Sequence, residues 1–461
     1  MRKKYGRKPV SVGFVALGCP KNMVDSEVML AQIGQDDFVL SSDPDTADVV
    51  VINTCGFIKP AKEEALDAIR QAVGQKKKGL VRKVVVTGCL SERMGKDLAK
   101  EVKGIDAVVG LGERDRIAEI IRNCLSEKKY TPTHVHVAPS GDAIHDDRGR
   151  LLITPGHWAY LRISEGCNRK CSFCTIPAIR GQFRSKPQEM VLSEAVELVS
   201  NGAVELSIIA QDSNFYGRDM GIQNGLISLL AELEKIEPLK WIRLMYLYPA
   251  GIDDALIEAI AKNDKIVPYI DMPIQHINND ILKSMRRADT KEHTTELIGK
   301  LRKALPEVAL RTTVIVGYPG ETDEQFQELL DFVKWAQFDA LGCFPFYPEP
   351  GTAAADLSDQ LPESVKQQRV DALMQTQQDI IFKKMDSQIG RELTVLVDEV
   401  FENDAIGRCY GQAPHIDSIC KIQNCNAEIG GFIQTKITAR EDYDFMVEEI
   451  GDCGDVEKVN P

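Results

Sequence analysis

No uninterrupted apolar run in this sequence approaches the ~18–20 residues that a membrane-crossing helix needs, so a spanning helix is excluded. A secretory signal is also missing. The basic stretch Met1–Pro9 leads straight into a strand-like segment, without an apolar core or a small-residue cleavage site, and reads as a short solvated arm. The C-x2-C…C-x2-C pattern of a structural zinc site is absent. So is any excess of positive charge: the net charge of −13 argues against nucleic acid as the main partner and favours a basic one.

What is present is a 461-residue chain, long enough for two to four domains, with 43% apolar and 27% charged residues, the composition of a soluble globular protein. Its twelve cysteines are better explained by metal than by disulfides, which implies a reducing, cytoplasmic setting. Three of them stand in Cys167-Asn168-Arg169-Lys170-Cys171-Ser172-Phe173-Cys174, spaced C-x3-C-x2-C. Disulfide pairing would leave one unpaired. Three thiolates on a cubane of four irons leave one iron open to a small molecule, whereas four would close the site. The motif resembles the signature of the radical S-adenosylmethionine (SAM) superfamily. That resemblance implies a [4Fe-4S] cluster on Cys167, Cys171 and Cys174 and SAM as the molecule at the open iron, cleaved to a radical on reduction.

From Val10 onward strand-like runs alternate with helical periodicity: strands at 11–17, 49–53, 83–87 and 107–111, helices at 25–32, 59–73, 94–102 and 114–125. The alternation predicts a doubly wound α/β domain over residues 10–127. Cys19, Cys55 and Cys89 each follow one of its strands, at the carboxyl ends where such sheets bind ligands. Any one of them alone could be a small buried apolar residue. Three at the same topological position point to a second three-thiolate site. Cys124, Cys343, Cys409, Cys420, Cys425 and Cys453 share no such context and read as structural.

A three-cysteine α/β domain followed by a radical SAM motif resembles the methylthiotransferase family over essentially the whole chain beyond the basic arm. The resemblance implies an auxiliary [4Fe-4S] cluster on Cys19, Cys55 and Cys89 that handles the inserted sulfur, and an electron-donor protein as partner.

Residues 128–152 have no sustained periodicity and read as a linker whose His134, His136 and His145 are solvated rather than metal ligands. Residues 153–388 carry six strand–helix repeats, which predict an incomplete (β/α)6 barrel with the cysteine loop after its first strand, at the carboxyl-end mouth. Other strand ends carry polar or glycine-rich clusters. Gln211, Gly317 and Glu321, together with Arg311, are candidates for contact with SAM's charged methionine end or ribose. A turn and helix cap would explain Gly317–Thr322 equally well. His276 reads as a structural or substrate-lining residue. The stretches YIDMPIQHINNDILKSMRR and RTTVIVGYPGETDEQF resemble family motifs, whereas Pro348 stands where the family typically has serine.

Residues 390–459 predict a small five-stranded, OB-like β barrel that resembles the TRAM module, often an RNA binder. Here, however, residues 388–461 hold six Lys and Arg against fifteen Asp and Glu, a surface that should repel phosphates. The stretch Gly18-Cys19-Pro20-Lys21-Asn22-Met23-Val24-Asp25-Ser26-Glu27 resembles methylthiotransferases that modify an aspartate of ribosomal protein S-twelve rather than those that modify adenosine in tRNA. The resemblance thus implies S-twelve, free or in the small ribosomal subunit, as the substrate, with tRNA as the alternative.

Overall fold

A computed structural model describes residues 9–126, 133–137, 144–425 and 427–452. It divides into two compact units. One comprises residues up to Ile153 together with Glu165–Arg169 and Thr175–Lys186; the other comprises Thr154–Ser164, Lys170–Cys174 and everything from Pro187.

The first unit is built on six parallel strands: β1 (Val10–Ala16), β2 (Phe38–Ser41), β3 (Val49–Thr54), β4 (Lys83–Gly88), β5 (Ala107–Val109) and β6 (His134–His136). Their order is β2-β1-β3-β4-β5-β6, so the direction of winding reverses between β1 and β3. Strands β3 and β4 are buried along their whole length, as the apolar runs Val49–Ile52 and Val84–Val86 require of strands covered on both faces. The covers are α1 (Pro20–Gln35), α2 (Lys59–Lys77), α3 (Cys89–Met94), α4 (Lys96–Glu101) and α5 (Ile117–Ser126). Met29 and Ile33 of α1 share one core with Ile117, Ile120 and Ile121 of α5, while Leu66, Ile69 and Val73 of α2 share the other with Leu98 of α4.

The 128–152 stretch departs from the expected linker. His134–His136 adds β6 to the sheet by pairing with β5, and Leu151 donates its backbone N–H to Glu27 O at 3.1 Å. A three-residue edge strand is too short to show periodicity in the sequence.

The second unit begins with β7 (Trp158–Arg162). Two short strands, β8 (Ser164–Glu165) and β9 (Arg184–Ser185), and the helix α6 (Ile176–Arg180) bracket the cysteine loop in sequence. The barrel continues through β10 (Glu205–Ile209), β11 (Trp241–Leu244), β12 (Ile266–Asp271), β13 (Ala309–Val316) and β14 (Ala340–Pro345). All six long strands are parallel in the order β14-β13-β12-β11-β10-β7, and β14 does not pair with β7, which leaves the predicted barrel open. Helices α7 (Gln188–Ser200), α8 (Gly225–Leu233), α9 (Asp254–Lys262), α10 (Asn279–Ser284), α11 (Lys291–Ala304) and α12 (Asp323–Ala336) cover it. Thr322 and Gln325 close a reciprocal cap at the start of α12.

The long α13 (Glu363–Ser387) leads into β15 (Glu392–Phe401), β16 (Asp404–Arg408), β17 (Cys420–Gln423), β18 (Phe432–Glu441) and β19 (Asp444–Asp452), a closed five-stranded barrel. Cys409, Cys420 and Cys425 lie in its apolar core, the structural role expected of them, and Cys124 lies in the core of the first unit. Cys453 falls outside the described residues.

Below the barrel's strands a buried charge network joins β10 and β11 to the small barrel. Glu205 accepts from Arg243 Nε at 2.7 Å and from Arg408 Nη1 at 2.6 Å, and Arg408 pairs in turn with Asp398, which also meets His157 Nε2 at 2.7 Å.

Candidate functional site

In a doubly wound sheet the crevice lies at the carboxyl ends of the strands flanking the winding reversal. Cys19 immediately precedes α1 after β1, Cys55 follows β3, and Cys89 opens α3 after β4, which puts three thiols around the β1/β3 reversal. Glycines make the approach possible. Gly18 has φ +97°, and a Cβ there would stand 2.9 Å from Cys55 Cβ and 3.5 Å from its sulfur. Gly88 has φ +94°, and a Cβ would meet Asn53 Oδ1 at 2.2 Å and Thr54 O at 2.5 Å.

A polar shell holds the three loops. Asn22 Nδ2 donates to Leu17 O at 2.8 Å and to Thr54 O at 3.0 Å, tying the Cys19 turn to the Cys55 turn. Asn53 Nδ2 donates to Asn22 O at 2.8 Å, Thr54 Oγ1 to Thr87 O at 2.6 Å, and Arg93 Nη1 to Gly56 O at 2.8 Å. Burial pushes the Cys89 thiol up to about 12; the Arg180 guanidinium opposes this, and Cys19 and Cys55 add to it. Burial likewise raises the Cys55 thiol, with Cys19 adding to the shift. The three sulfurs thus feel one another, and the soft thiol donors suit an iron–sulfur group. Among the described residues no three His, Cys, Asp or Glu side chains are already grouped at metal-ligating distance, so the fit rests on this donor set and its glycine cradle. Gly88→Ala tests the cradle: it is expected to cost ~1–3 kcal/mol in backbone strain alone, with the Asn53 clash added, and to lower bound iron. Thermal melting and iron analysis check it.

The C-x3-C-x2-C loop divides between the two units. On the first unit's side, Cys167 N–H donates to Gly181 O at 3.2 Å and Asn168 Oδ1 accepts from Phe183 N–H at 3.0 Å. Gly166, at φ +79°, has no room for a Cβ, which would fall 2.1 Å from Gln182 O. On the second unit's side, Ser172 donates its N–H to Met285 O at 3.0 Å and its Oγ meets the Tyr318 hydroxyl at 2.9 Å. Phe173 packs against a cluster of Ile281, Met285, Tyr318 and Phe346. Cys171 and Cys174 flank this anchored dipeptide, so both are held where β13 and α10 end.

The four expected SAM contacts fare differently. Gln211 is half-buried and follows β10 at its carboxyl end. Gly317, at φ +70°, is pressed against Lys366, whose Cγ would be 2.4 Å from a Cβ. Glu321 is buried, accepts from Tyr318 N–H at 3.0 Å and lies 3.0 Å from Arg369 Nη1, so it closes the turn after β13; burial pushes its carboxyl up to about 7 against the pull of Arg369. Arg311 is placed differently from the other three. It is the third residue of β13, toward the amino end, and its guanidinium is engaged with Asp271 at 2.8 Å and Asp417 at 3.3 Å.

His276 is fully buried, its Nδ1 accepts from Asn278 N–H at 3.0 Å, and burial depresses it to about 3, which keeps the ring neutral. His145 Nδ1 lies 2.8 Å from Asp115 Oδ2, and the rings of His134 and His136 stack 6.2 Å apart. Sequence reasoning missed Asn53 and Arg180 as parts of the first triad's shell. Both act through contacts distant in sequence, which no local pattern marks.

The radical SAM superfamily model matches residues 161–333, the uncharacterized protein family UPF0004 model matches 11–110, and the TRAM domain model matches 389–450. The chain is similar to "Ribosomal protein uS12 methylthiotransferase RimO" of Geobacter sulfurreducens, 44% identical over 443 residues that cover 95% of this chain and 98% of the relative. The protein of the same name from Citrifermentans bemidjiense is 42% identical over 441 residues, with the same coverage of both chains. Among solved structures, the radical SAM methyltransferase TsrM from Kitasatospora setae, with cobalamin and a [4Fe-4S] cluster bound, superposes at TM-score 0.55. That match has 16% identity and covers 75% of this chain and 77% of the other, a likeness of fold. Full-length identity above 40% joins the cysteine loop, the strand-end triad and the closed terminal barrel in one assignment: the chain belongs to the family of the ribosomal protein uS12 methylthiotransferases.

Proposed function

We infer that this chain is the enzyme that adds a methylthio group to the β-carbon of an aspartate in ribosomal protein S-twelve. The observation that carries the reading is the full-length similarity to proteins named for that activity, at 44% and 42% identity. The chemistry explains the parts. A β C–H beside a carboxylate is only weakly acidic, and replacing it by a C–S bond from sulfide-level sulfur is an oxidation, which a hydrogen-abstracting radical serves and simple deprotonation does not. When bound, SAM and the iron–sulfur groups supply the electron, the hydrogen-abstracting radical, the sulfur and the methyl group.

The chain's own residues hold and orient. Cys167, Cys171 and Cys174 would hold the SAM-cleaving cluster, and Cys19, Cys55 and Cys89 a second cluster beside which sulfur is delivered. Gly18 and Gly88 keep the backbone close to that second group, and Asn22 fixes two of the three turns. Gln211, Gly317 and Glu321, at strand carboxyl ends, stay in the proposal as SAM contacts, and Arg311 leaves it.

The terminal barrel favours a protein target. Glu399, Glu402, Asp404, Glu428, Glu441, Asp442 and Glu448 are exposed on it, a field that attracts a basic ribosomal protein and repels an RNA backbone. An electron-donor protein and a cytoplasmic setting complete the proposal. Among the described residues no helix is long and apolar enough to cross a membrane.

The test is a competition. Iron-loaded enzyme, reductant, sulfide and SAM labelled in its methyl group are mixed with S-twelve and tRNA together. Label is expected in the protein and not in the tRNA. Labelled tRNA beside unlabelled S-twelve would overturn the assignment.

A further inference from the structure

Arg180, the last residue of α6, lies a few residues beyond the cysteine loop and its side chain is 2% exposed. Its Nη2 donates to Cys89 Sγ at 3.4 Å, to Asn22 Oδ1 at 3.1 Å and to Asp25 Oδ2 at 3.0 Å. Its Nη1 reaches both oxygens of Glu165, at 3.2 and 3.0 Å. The residue that follows the first barrel strand's cysteine motif in sequence is therefore bonded to the sulfur of the other triad, inside the first unit.

The ion pairs with Glu165 and Asp25 do not by themselves explain the hydrogen bond from Nη2 to the sulfur. Asp25 already has a buried cation in Arg114, whose Nη1 is 2.6 Å from its Oδ1 and whose Nη2 is held by Asp147. Burying a second guanidinium in the same place costs hydration that its partners must make good. A neutral thiol returns little of that, whereas a metal-bound thiolate is an anion, and a cationic donor on it makes a charge-assisted hydrogen bond. Asn22 Oδ1, 3.7 Å from the same sulfur, cannot supply positive charge.

We propose that Arg180 is a positioning residue that holds a positive charge and a hydrogen bond against Cys89 Sγ, and thereby raises the reduction potential of the iron–sulfur group on Cys19, Cys55 and Cys89. Net charge and hydrogen bonds to the sulfurs are the levers that set such potentials. The inference rests on the reading that this triad holds a cluster.

The experiment uses the full chain with Cys167, Cys171 and Cys174 replaced by alanine, so that iron reports the first triad alone. If this background protein loads no iron, the two-cluster reading fails and the role of Arg180 falls with it. If it loads iron, its potential is titrated in three forms: with Arg180 intact, with Arg180→Lys, and with Glu165→Gln/Arg180→Gln. The double variant removes the Glu165 carboxylate that would otherwise lose its partner, while Asp25 keeps Arg114, so no charge is left buried without its counter-charge. The Lys form is expected to keep the oxidised-to-reduced ratio at a fixed potential within about twofold of the intact form. The double variant is expected to shift that ratio about tenfold toward oxidised, about 59 mV for a one-electron couple. A double variant with full iron and a ratio changed less than twofold would overturn the inference. So would loss of folding or of iron in both variants, because Arg180 would then serve the fold alone.

Discussion

Alanine at Cys19, Cys55 and Cys89 together is expected to bring bound iron from about eight to about four atoms per chain and to abolish methylthio transfer, while SAM is still cleaved to 5′-deoxyadenosine. The two outcomes separate because the triads are held by different elements. The first depends on the turns after β1, β3 and β4 and on Asn22, Asn53 and Thr54. The loop of the second depends on Gly166, Ser172 and Phe173. Removing three sulfurs from the first should leave the second able to bind and cleave SAM. The complementary Cys167→Ala/Cys171→Ala/Cys174→Ala variant is expected to lose both activities and keep about four irons. Iron and sulfide analysis alongside chromatography of the nucleoside product checks both. An unchanged iron count in the first variant would mean that the triad holds no cluster.

Glu205→Ala is expected to destabilise the second unit by ~3–5 kcal/mol, the range for removing one partner from a buried ion pair. Glu205 is fully buried at the start of β10, and its two oxygens accept from Arg243 and Arg408. Without it Arg243 keeps the carbonyl of Tyr410 and Arg408 keeps Asp398, which leaves two desolvated guanidiniums with one carboxylate, held by Arg408, for the pair. Burial raises the Glu205 carboxyl, but Arg408 and Arg243 outweigh it and hold the group below its ordinary 4.5. A carboxyl depressed in the folded state contributes stability that is complete above the unfolded value, so the contribution is present above pH ~4.5 and is lost as pH falls through the folded value. Glu205→Ala should therefore melt lower than wild type at neutral pH, and the gap should narrow in acid. Calorimetry across pH checks both signs.

Much of the chemistry was legible because it follows from local pattern. The strands that end in Cys19, Cys55 and Cys89 are dense β-branched runs, and such runs mark buried parallel strands whatever surrounds them. The barrel strands and α7 and α11 were equally plain from periodicity. Edge strands were not: β2 and β6 have four and three residues, and only pairing with a neighbour makes them strands. The helix after β4 starts at Cys89 rather than near Met94, because Gly88 at φ +94° turns the chain directly into α3, putting a candidate ligand in the helix's first turn. The surroundings of Arg311 were not legible either. Its charge suits a ligand, but its place near the amino end of β13 puts it beside Asp271 and Asp417. Arg180 was invisible, since nothing in its own segment announces a partner 91 residues away.

The most direct test of the central claim is the mass of S-twelve after incubation with iron-loaded enzyme, SAM, sulfide and reductant. A gain equal to one methylthio group replacing one hydrogen is expected, located by fragmentation to the β-carbon of a single aspartate. No gain is expected when either cysteine triad is replaced by alanine. S-twelve of unchanged mass, with SAM cleaved to 5′-deoxyadenosine in the same tube, would contradict it.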